Sequence, residues 1–458
     1  MEKLSIKEIR KAVEGKIVQG NPGAVIESVC IDSRKLKPDD MFFAIIGEHF
    51  DGHSFLDEAV NKGAKALVVD RSVKAYPGIS IIRVKDTTKA LQNLAHYNRM
   101  RYNNLKVIGV TGSVGKTTTK DMISWVLKHK YKVLKSKGNY NNHYGLPLSL
   151  LSMNGKEEIA VLEMAMSNLG EIKELSNIAK PEIGVVTNVG PAHLKNLDNV
   201  ANVAEAKKEL IESLPENGIA LLNYDNKYVR EMNEAFKGEK VVYYGLDQEA
   251  DIYADKIITD EKNKNIKFDV HYKDKKTEII LNKPGRHNIY NALSAIAIAR
   301  EFDIEWDIIK ESFRDLNFSS LRLDIKEKYG YTIINDTYNA NPLSMKAAID
   351  VLLDIYEKRS IAVLGDMLEL GPQKKEAHFE IGKYLAENNV DILITVGELA
   401  EIIANGAEDI MSKDKIHRVK NNDEAYKILQ KIIDQGDSVL VKGSRKMKME
   451  EIVNMIVA

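Results

Sequence analysis

Cysteine is nearly absent from this chain: Cys30 is the only one in 458 residues. That excludes an intrachain disulfide and any thiolate metal cluster, and it fits a reduced, cytoplasmic setting. Net charge is lacking too, because 66 Lys and Arg residues nearly cancel 67 Asp and Glu. Without an excess of either sign, nothing advertises a nucleic-acid or membrane-surface partner, and small-molecule substrates are the expectation. Nowhere does an apolar run approach the roughly 20 residues needed to span a bilayer. The opening MEKLSIKEIRKAVEGK interleaves charges in an amphipathic helical pattern and lacks the apolar stretch and small-residue cleavage site of a secretory signal. A soluble monomer without a signal peptide is expected.

What the chain does have is length and a repeated alternation of strands and helices. At 458 residues it suggests about three domains. Up to Thr87, short strand-like runs (SVCIDSR, MFFAII, KALVVD, ISIIRV) alternate with helical ones, and the first domain is expected over 1–85. From 86 to 319, runs such as EIAVLEMA, EIGVVTNV and GIALLNYD alternate with amphipathic helices, the sign of a mainly parallel α/β sheet. Inside that span, Asp251 to Leu281 is rich in Lys and Asp and reads as solvated antiparallel strands without chemistry. Over 320–458 the alternation restarts with YTIINDTYN, SIAVLGD, DILITVG, KIHRV and SVLVKGS, a second α/β sheet. Ligands of such sheets bind beyond the carboxyl ends of strands, where Asp336, Asp366 and Lys442-Gly443-Ser444 fall.

The most informative stretch is Thr111-Gly112-Ser113-Val114-Gly115-Lys116-Thr117-Thr118, set between the apolar strand KVIGV and a helix with Met122, Ile123, Val126 and Leu127 at helical spacing. Unpaired backbone N–H groups and the positive end of the helix dipole bind phosphate at such a junction. Lys116 would reach the terminal phosphates and Thr117 would hold magnesium. Val110 stands where the full phosphate-loop pattern has its first glycine, so the loop is a compact variant.

Other candidates are weaker one by one. Glu163 ends the apolar run Ile159 to Leu162 and is a candidate magnesium ligand or simply a strand-end glutamate. His193 follows the strand near Ile183 to Asn188, and a lone histidine is more often structural. Lys207, in AEAKKEL, reads as part of a solvated charged face. Asn288 and Asn291, three apart in PGRHNIYNAL, suit a base edge or just a polar helix start. Arg322 and Asp336 could reach a nucleotide from the last domain, which would make domain closure part of catalysis.

Taken together, TGSVGKTT, LEMA, TNVGPAHL, AEAKKEL and PGRHNIYNAL resemble the ATP-dependent Mur ligases of bacterial cell-wall synthesis, over nearly the whole chain. IDSRKLKPDDMFFAIIGEHFDGHSF, GNYNNHYGLPLSLL, NDTYNANPLSMKAA, AVLGDMLELG and VKGSRKMKM are most similar to the branch that adds D-alanyl-D-alanine to UDP-N-acetylmuramoyl-tripeptide. The resemblance implies an α/β protein of three domains: a small N-terminal UDP-binding domain, a central ATP-binding domain with a mainly parallel sheet, and a C-terminal Rossmann-like domain for the incoming amine. It implies ATP and magnesium as cofactors and an acyl phosphate made from the substrate carboxylate.

Carried over by motif, Lys116 contacts terminal phosphates, Thr117 and Glu163 one magnesium, and His193 a second. Lys207, as a carbamate, helps set the metal site instead of lying on a solvated face. Asn291 reads adenine, Arg322 the γ-phosphate and Asp336 the ribose. Ser33, Arg34 and the Asp51-Gly52-His53 turn belong to the uridine-nucleotide site, and Asn141, Asn142, Asn339 and Asn341 to the substrates. His143 is a departure, since relatives commonly carry an acidic residue in that segment. A muramyl ligase adding a single amino acid, or a folylpolyglutamate synthase, is the alternative on the same scaffold. The N-terminal UDP-type module and the NANP segment argue against the folate enzyme.

Overall fold

The computed structural model describes residues 1–316 and 321–457. The boundary expected between 319 and 320 lies outside the described residues.

The first unit is a five-stranded sheet in the order Lys16–Gln19, Ser80–Arg83, Ala66–Val69, Met41–Phe43, Val29–Cys30, parallel except for the outer Lys16–Gln19 strand. The amphipathic N-terminus is less helical than its pattern suggests. Leu4–Ser5 pairs with Val25–Ile26, and the helix covers only Ile6–Ala12. The reason is local: the Ser5 side chain bonds the Glu8 backbone N–H while Glu8 bonds back to Ser5, a capping box that fixes the helix start after Ser5.

The central unit is a nine-stranded sheet. Seven parallel strands run from Val133–Lys135 through Ile159–Glu163, Lys106–Thr111, Ile183–Val186, Ile219–Asn223 and Lys240–Gly245 to Ile252–Asp260. Their near-continuous apolar runs follow from burial on both faces beneath helices. The phosphate-loop strand Lys106–Thr111 lies inside the sheet, with Glu163 opposite Val110 on one side and Val186 opposite Thr111 on the other. The loop, Glu163 and Thr187 therefore emerge side by side.

The lysine-rich stretch expected to be solvated is in fact the continuation of this sheet. Asn265–Tyr272 and Lys275–Leu281 pair antiparallel beyond Ile252–Asp260. Ile252, Ala254, Ile266, Phe268, Val270, Ile279 and Leu281 are buried in one cluster with residues of helices His287–Glu301 and Trp306–Arg314. Only the alternate residues face water, which is the period-2 pattern of a half-buried sheet.

The third unit is a six-stranded sheet ordered Asp324–Lys328, Tyr331–Asn335, Asp437–Lys442, Arg359–Gly365, Ile392–Val396, Ile416–Val419, parallel apart from the first hairpin. Helices Pro342–Ile355, Lys374–Glu387 and Ala400–Ala407 bury one face, and Asn422–Ile432 and Glu450–Val457 the other. Asn335 and Val441 are register partners, so Asp336 and Lys442 leave adjacent strand ends together.

Candidate active site

A cleft of about 650 Å³ opens where the carboxyl ends of the central strands meet those of the third sheet. From the central unit it is lined by the loop Ser113 to Thr118, Glu163, His193 and Asn291. Asn141 and Asn142 join them from the segment before helix Gly145–Leu151. From the third unit come Arg322, Asp336, Asn339 and Asn341. The cleft thus brings together residues more than 200 positions apart in the sequence.

Backbone packing holds the loop open. Gly112, at φ +150°, lies so near Thr187 that a Cβ there would sit 1.8 Å from its hydroxyl oxygen. That hydroxyl donates to Val114 O at 2.6 Å, and the Asn188 amide oxygen accepts from Val114 N at 2.9 Å. Gly115, at φ +84°, is the N-cap of helix Lys116–Leu127, and a Cβ on it would meet Asn291 Oδ1 at 2.6 Å. Both positions demand glycine, one for close approach and one for conformation as well. Thr111 and Gly112 lie behind the cleft wall rather than in it.

Charge is concentrated around this loop. Lys116 Nζ donates to Gly112 O at 2.7 Å; desolvation lowers its pKa, partly offset by the Glu163 carboxylate. Glu163 is buried, and its carboxylate accepts from Thr117 Oγ1 at 2.8 Å and from Asn141 Nδ2 at 2.8 Å. Behind it, fully buried Lys120 stands 3.9 Å from Glu163 Oε2 and donates to Ser136 O. A hydroxyl and a carboxylate converging at a phosphate loop form a donor set for a hard cation. Among the described residues no group of three or more His, Cys, Asp or Glu side chains forms a metal cage. Nucleotide phosphates and water would complete such a site, as magnesium commonly requires.

Lys207 is not on a solvated face. It is 2% exposed, and among the described residues its amine has no hydrogen-bond or ion-pair partner. Burial lowers its pKa well below that of an ordinary lysine, and the Lys116 charge pushes the same way. The exposed face of helix Val200–Glu212 is instead carried by Glu205, Lys208 and Glu212. Glu209, also turned inward, accepts from Gly170 N and Lys173 N at the start of the neighbouring helix Glu171–Ala179.

The remaining candidates have their side chains partly engaged. Asn291 accepts from Thr119 Oγ1 at 3.0 Å and donates to Asn288 Oδ1 at 3.1 Å. Asp336 pairs with Lys442 at 2.5 Å and accepts from Leu323 N at 3.1 Å. The Arg322 guanidinium lies 3.9 Å from the Tyr338 ring centroid. His193, at φ +54°, faces Glu369 of the third unit at 3.4 Å. Asp366 does not reach the cleft: its carboxylate accepts from Ala400 N at 2.8 Å, at the start of a helix.

Ser33, Arg34, Asp51, Gly52 and His53 form no part of this cleft and belong to the first unit. Ser33 Oγ donates to Glu58 Oε2 at 3.0 Å, on the helix that directly follows the Gly52–Phe55 turn. His53 is held between Asp51 at 2.7 Å and Asp70 at 3.2 Å, and Arg71 bonds both carboxylates. The Arg34 guanidinium lies exposed against Asp32. His143, in the asparagine-rich segment, packs on Tyr144 with ring centroids 4.0 Å apart.

Several cleft residues escaped the sequence reading. Lys283, His287, Tyr338 and Glu369 line it, as does Lys442, marked beforehand only by its strand-end position. Burial holds the His287 imidazole neutral, its pKa pushed down to about 4. Its place directly before Asn288 was the one available signal.

Three segments match known domain families: residues 25–99 the Mur ligase family catalytic domain, 110–299 the Mur ligase middle domain, and 321–445 the Mur ligase glutamate ligase domain. The chain is 39% identical to UDP-N-acetylmuramoyl-tripeptide–D-alanyl-D-alanine ligase of Bacillus subtilis, covering 100% of this chain and 99% of that protein. The crystal structure of MurF from Acinetobacter baumannii superposes with a TM-score of 0.92 at 30% identity, covering 100% of this chain and 99% of the other. MurF ligase from Thermotoga maritima in complex with ADP gives 0.83 at 32% identity, over 94% and 96% of the two chains. The conjunction of phosphate loop, buried lysine and third-domain arginine thus comes with full-length kinship, and the chain belongs to the Mur ligase family.

Proposed function

We propose that this chain is the ATP-dependent ligase that joins D-alanyl-D-alanine to UDP-N-acetylmuramoyl-tripeptide in peptidoglycan precursor synthesis. The observation that carries the reading is the shared cleft, in which a nucleotide-phosphate loop and the loops of a second α/β sheet line one cavity. A ligase that must hold ATP and an amine acceptor together needs that arrangement, whereas a simple ATPase does not.

In this reading the units divide at 1–85, 86–319 and 320–458, for UDP substrate, ATP and dipeptide respectively. The first gathers Ser33, Arg34, Asp51, Gly52 and His53 against the uridine nucleotide. The loop Ser113 to Thr118 wraps the phosphates, with Thr111 and Gly112 shaping it from behind, Asn291 faces adenine, and Asp336 faces the ribose. Asn141, Asn142, Asn339 and Asn341 orient the peptide substrates. Thr117 and Glu163 would hold one magnesium ion, and His193 with the Lys207 carbamate would serve a second. When bound, magnesium supplies positive charge beside the phosphate oxygens.

The chemistry brings two anions together. The tripeptide carboxylate attacks the γ-phosphorus and ADP leaves, giving an acyl phosphate; the dipeptide amine then attacks the acyl carbon and inorganic phosphate leaves. Lys116 and Arg322 lower the repulsion and stabilise charge on the transferring phosphoryl group. Alignment of the reactants contributes up to roughly 7–11 kcal/mol. The amine must lose a proton before it attacks, which a free α-amino group of pKa about 8 does readily near neutral pH.

Lys207 fits the carbamate. Carbon dioxide reacts with a neutral amine, and desolvation beside Lys116 favours the neutral form; the product is an anion among cations. No helix among the described residues is long and apolar enough to cross a membrane. A cytoplasmic monomer drawing on cellular ATP completes the proposal, with size-exclusion chromatography as the check on the monomer.

The test is to trap the intermediate. Enzyme with ATP, magnesium and the UDP-tripeptide, quenched with hydroxylamine, is expected to yield a tripeptide hydroxamate that requires all three. Its absence during active turnover would refute the acyl phosphate.

A further inference from the structure

Lys442 ends the strand Asp437–Lys442 in the middle of the third sheet, flanked by Tyr331–Asn335 and Arg359–Gly365. It is 1% exposed, yet it lines the cleft. Its ammonium makes three contacts, all with one loop: Asp336 Oδ2 at 2.5 Å, Asn339 O at 2.9 Å and Asp336 O at 3.4 Å. The other oxygen of the same carboxylate accepts from Leu323 N at 3.1 Å, next to Arg322. The next turn is tied in as well, since Tyr338 N donates to Leu321 O at 3.0 Å and the Tyr338 ring carries the Arg322 guanidinium.

A buried ammonium is tolerated only when its donors are satisfied, and here a single carboxylate and two carbonyls satisfy them. Every one of those acceptors lies in the segment that holds residues facing the nucleotide and residues facing the amine. The strand beneath is paired on both sides, so the ammonium is a fixed point while the loop around it has no ladder of its own.

We propose that Lys442 is a positioning residue that ties the nucleotide side of the cleft, through Asp336 and the Arg322 segment, to the dipeptide side, through Asn339, so that the two substrates are set in one frame. This rests on the site reading under Proposed function. Lys442 itself touches no reacting atom; it acts through the loop. Without it, Asp336 and Asn339 lose their common anchor and both substrates are held less well. The UDP substrate, gripped mainly by the first unit, is affected little.

The test is steady-state kinetics of Lys442→Met with each of the three substrates varied in turn, and thermal unfolding measured alongside. Should that variant fail to fold, Lys442→Gln, which keeps an amide donor, is read in the same way. The expected result is a rise of at least tenfold in KM for both ATP and D-alanyl-D-alanine, with KM for the UDP-tripeptide within twofold of the wild type. Three results would overturn the proposal: a lower kcat with all three KM values unchanged, which is loss of folded enzyme; a rise for all three substrates, which is general disruption; or a rise for one substrate alone. Dipeptide-dependent phosphate release by the wild type is established first, so a failure of the functional reading itself would show before any variant is made.

Discussion

Replacing Lys207 by methionine should make the unmodified protein more stable and abolish its activity. Lys207 is 2% exposed and unpartnered among the described residues, so in the absence of carbon dioxide it is a buried amine that must either carry an unpaired charge or give up its proton. The second route sets a ceiling. Deprotonating a lysine of pKa about 10.4 at pH 7.4 costs about 4 kcal/mol, from 1.36 kcal/mol per unit. Methionine has nearly the same shape and no such cost, so Lys207→Met should stabilise the protein by up to about 4 kcal/mol in bicarbonate-free buffer. The sign in pH follows. The folded-state pKa lies below the unfolded one, so the unfolded chain binds more protons between the two values. Wild-type stability should therefore rise with pH across that window, up to about 10.4, and the variant should lack this rise. The assays are chemical denaturation with and without bicarbonate, phosphate release, and carbon-13 NMR after exposure to labelled bicarbonate. A variant less stable than the wild type, turnover at the wild-type rate, or no labelled carbamate in an active wild-type enzyme would each refute the reasoning.

Other outcomes follow from the same geometry. Lys116→Ala should fold normally and lose at least about 10²-fold in kcat, the scale of one preorganised electrostatic group; near-normal steady-state turnover would contradict its role. Gly112→Ala should cost about 1–3 kcal/mol and abolish nucleotide binding, because its Cβ would sit 1.8 Å from the Thr187 hydroxyl oxygen; calorimetry with ADP reads this directly. Arg359→Ala should destabilise the third unit by about 1–3 kcal/mol in urea titration, since it removes the charge partner of the fully buried Asp437 carboxylate, which keeps its bond from Asp434 N. His287 stays neutral when folded, with a pKa of about 4 against 6.5 unfolded. The unfolded chain then binds the extra proton, so stability should fall by up to about 3 kcal/mol as pH drops from 6.5 towards 4; His287→Asn should flatten that part of the denaturation profile.

The phosphate loop was legible because its requirements are local. Gly112 and Gly115 answer close contacts and a positive φ, and Lys116 and Thr117 must open the helix, so the pattern survives in eight consecutive residues. The sheet alternation was readable for the same reason, since strands buried on both faces are apolar runs. The local pattern alone puts Lys207 on a solvated face because its burial is tertiary. On helix Val200–Glu212 the Glu205, Lys208 and Glu212 side chains truly are a solvated face, and the charges of Lys207 and Glu209 hide among them at neighbouring positions. The Asp251 to Leu281 stretch misled differently, because a half-buried antiparallel strand shows as much charge as a solvated one. Lys442 and Asp336, 106 positions apart, meet only because two strands are neighbours in the third sheet, and no local signal records that order. The contact of Glu369 with His193 is hidden in the same way, since it exists only where two units face each other.

The most direct test of the central claim is phosphate release from ATP, with magnesium and UDP-N-acetylmuramoyl-tripeptide, in the presence and absence of D-alanyl-D-alanine, with the product weighed by mass spectrometry. Release that requires the dipeptide, with a product heavier than the UDP-tripeptide by one dipeptide less one water, is the result this account predicts. Phosphate release at the same rate without the dipeptide, or a product carrying a phosphate in place of the dipeptide, would contradict it.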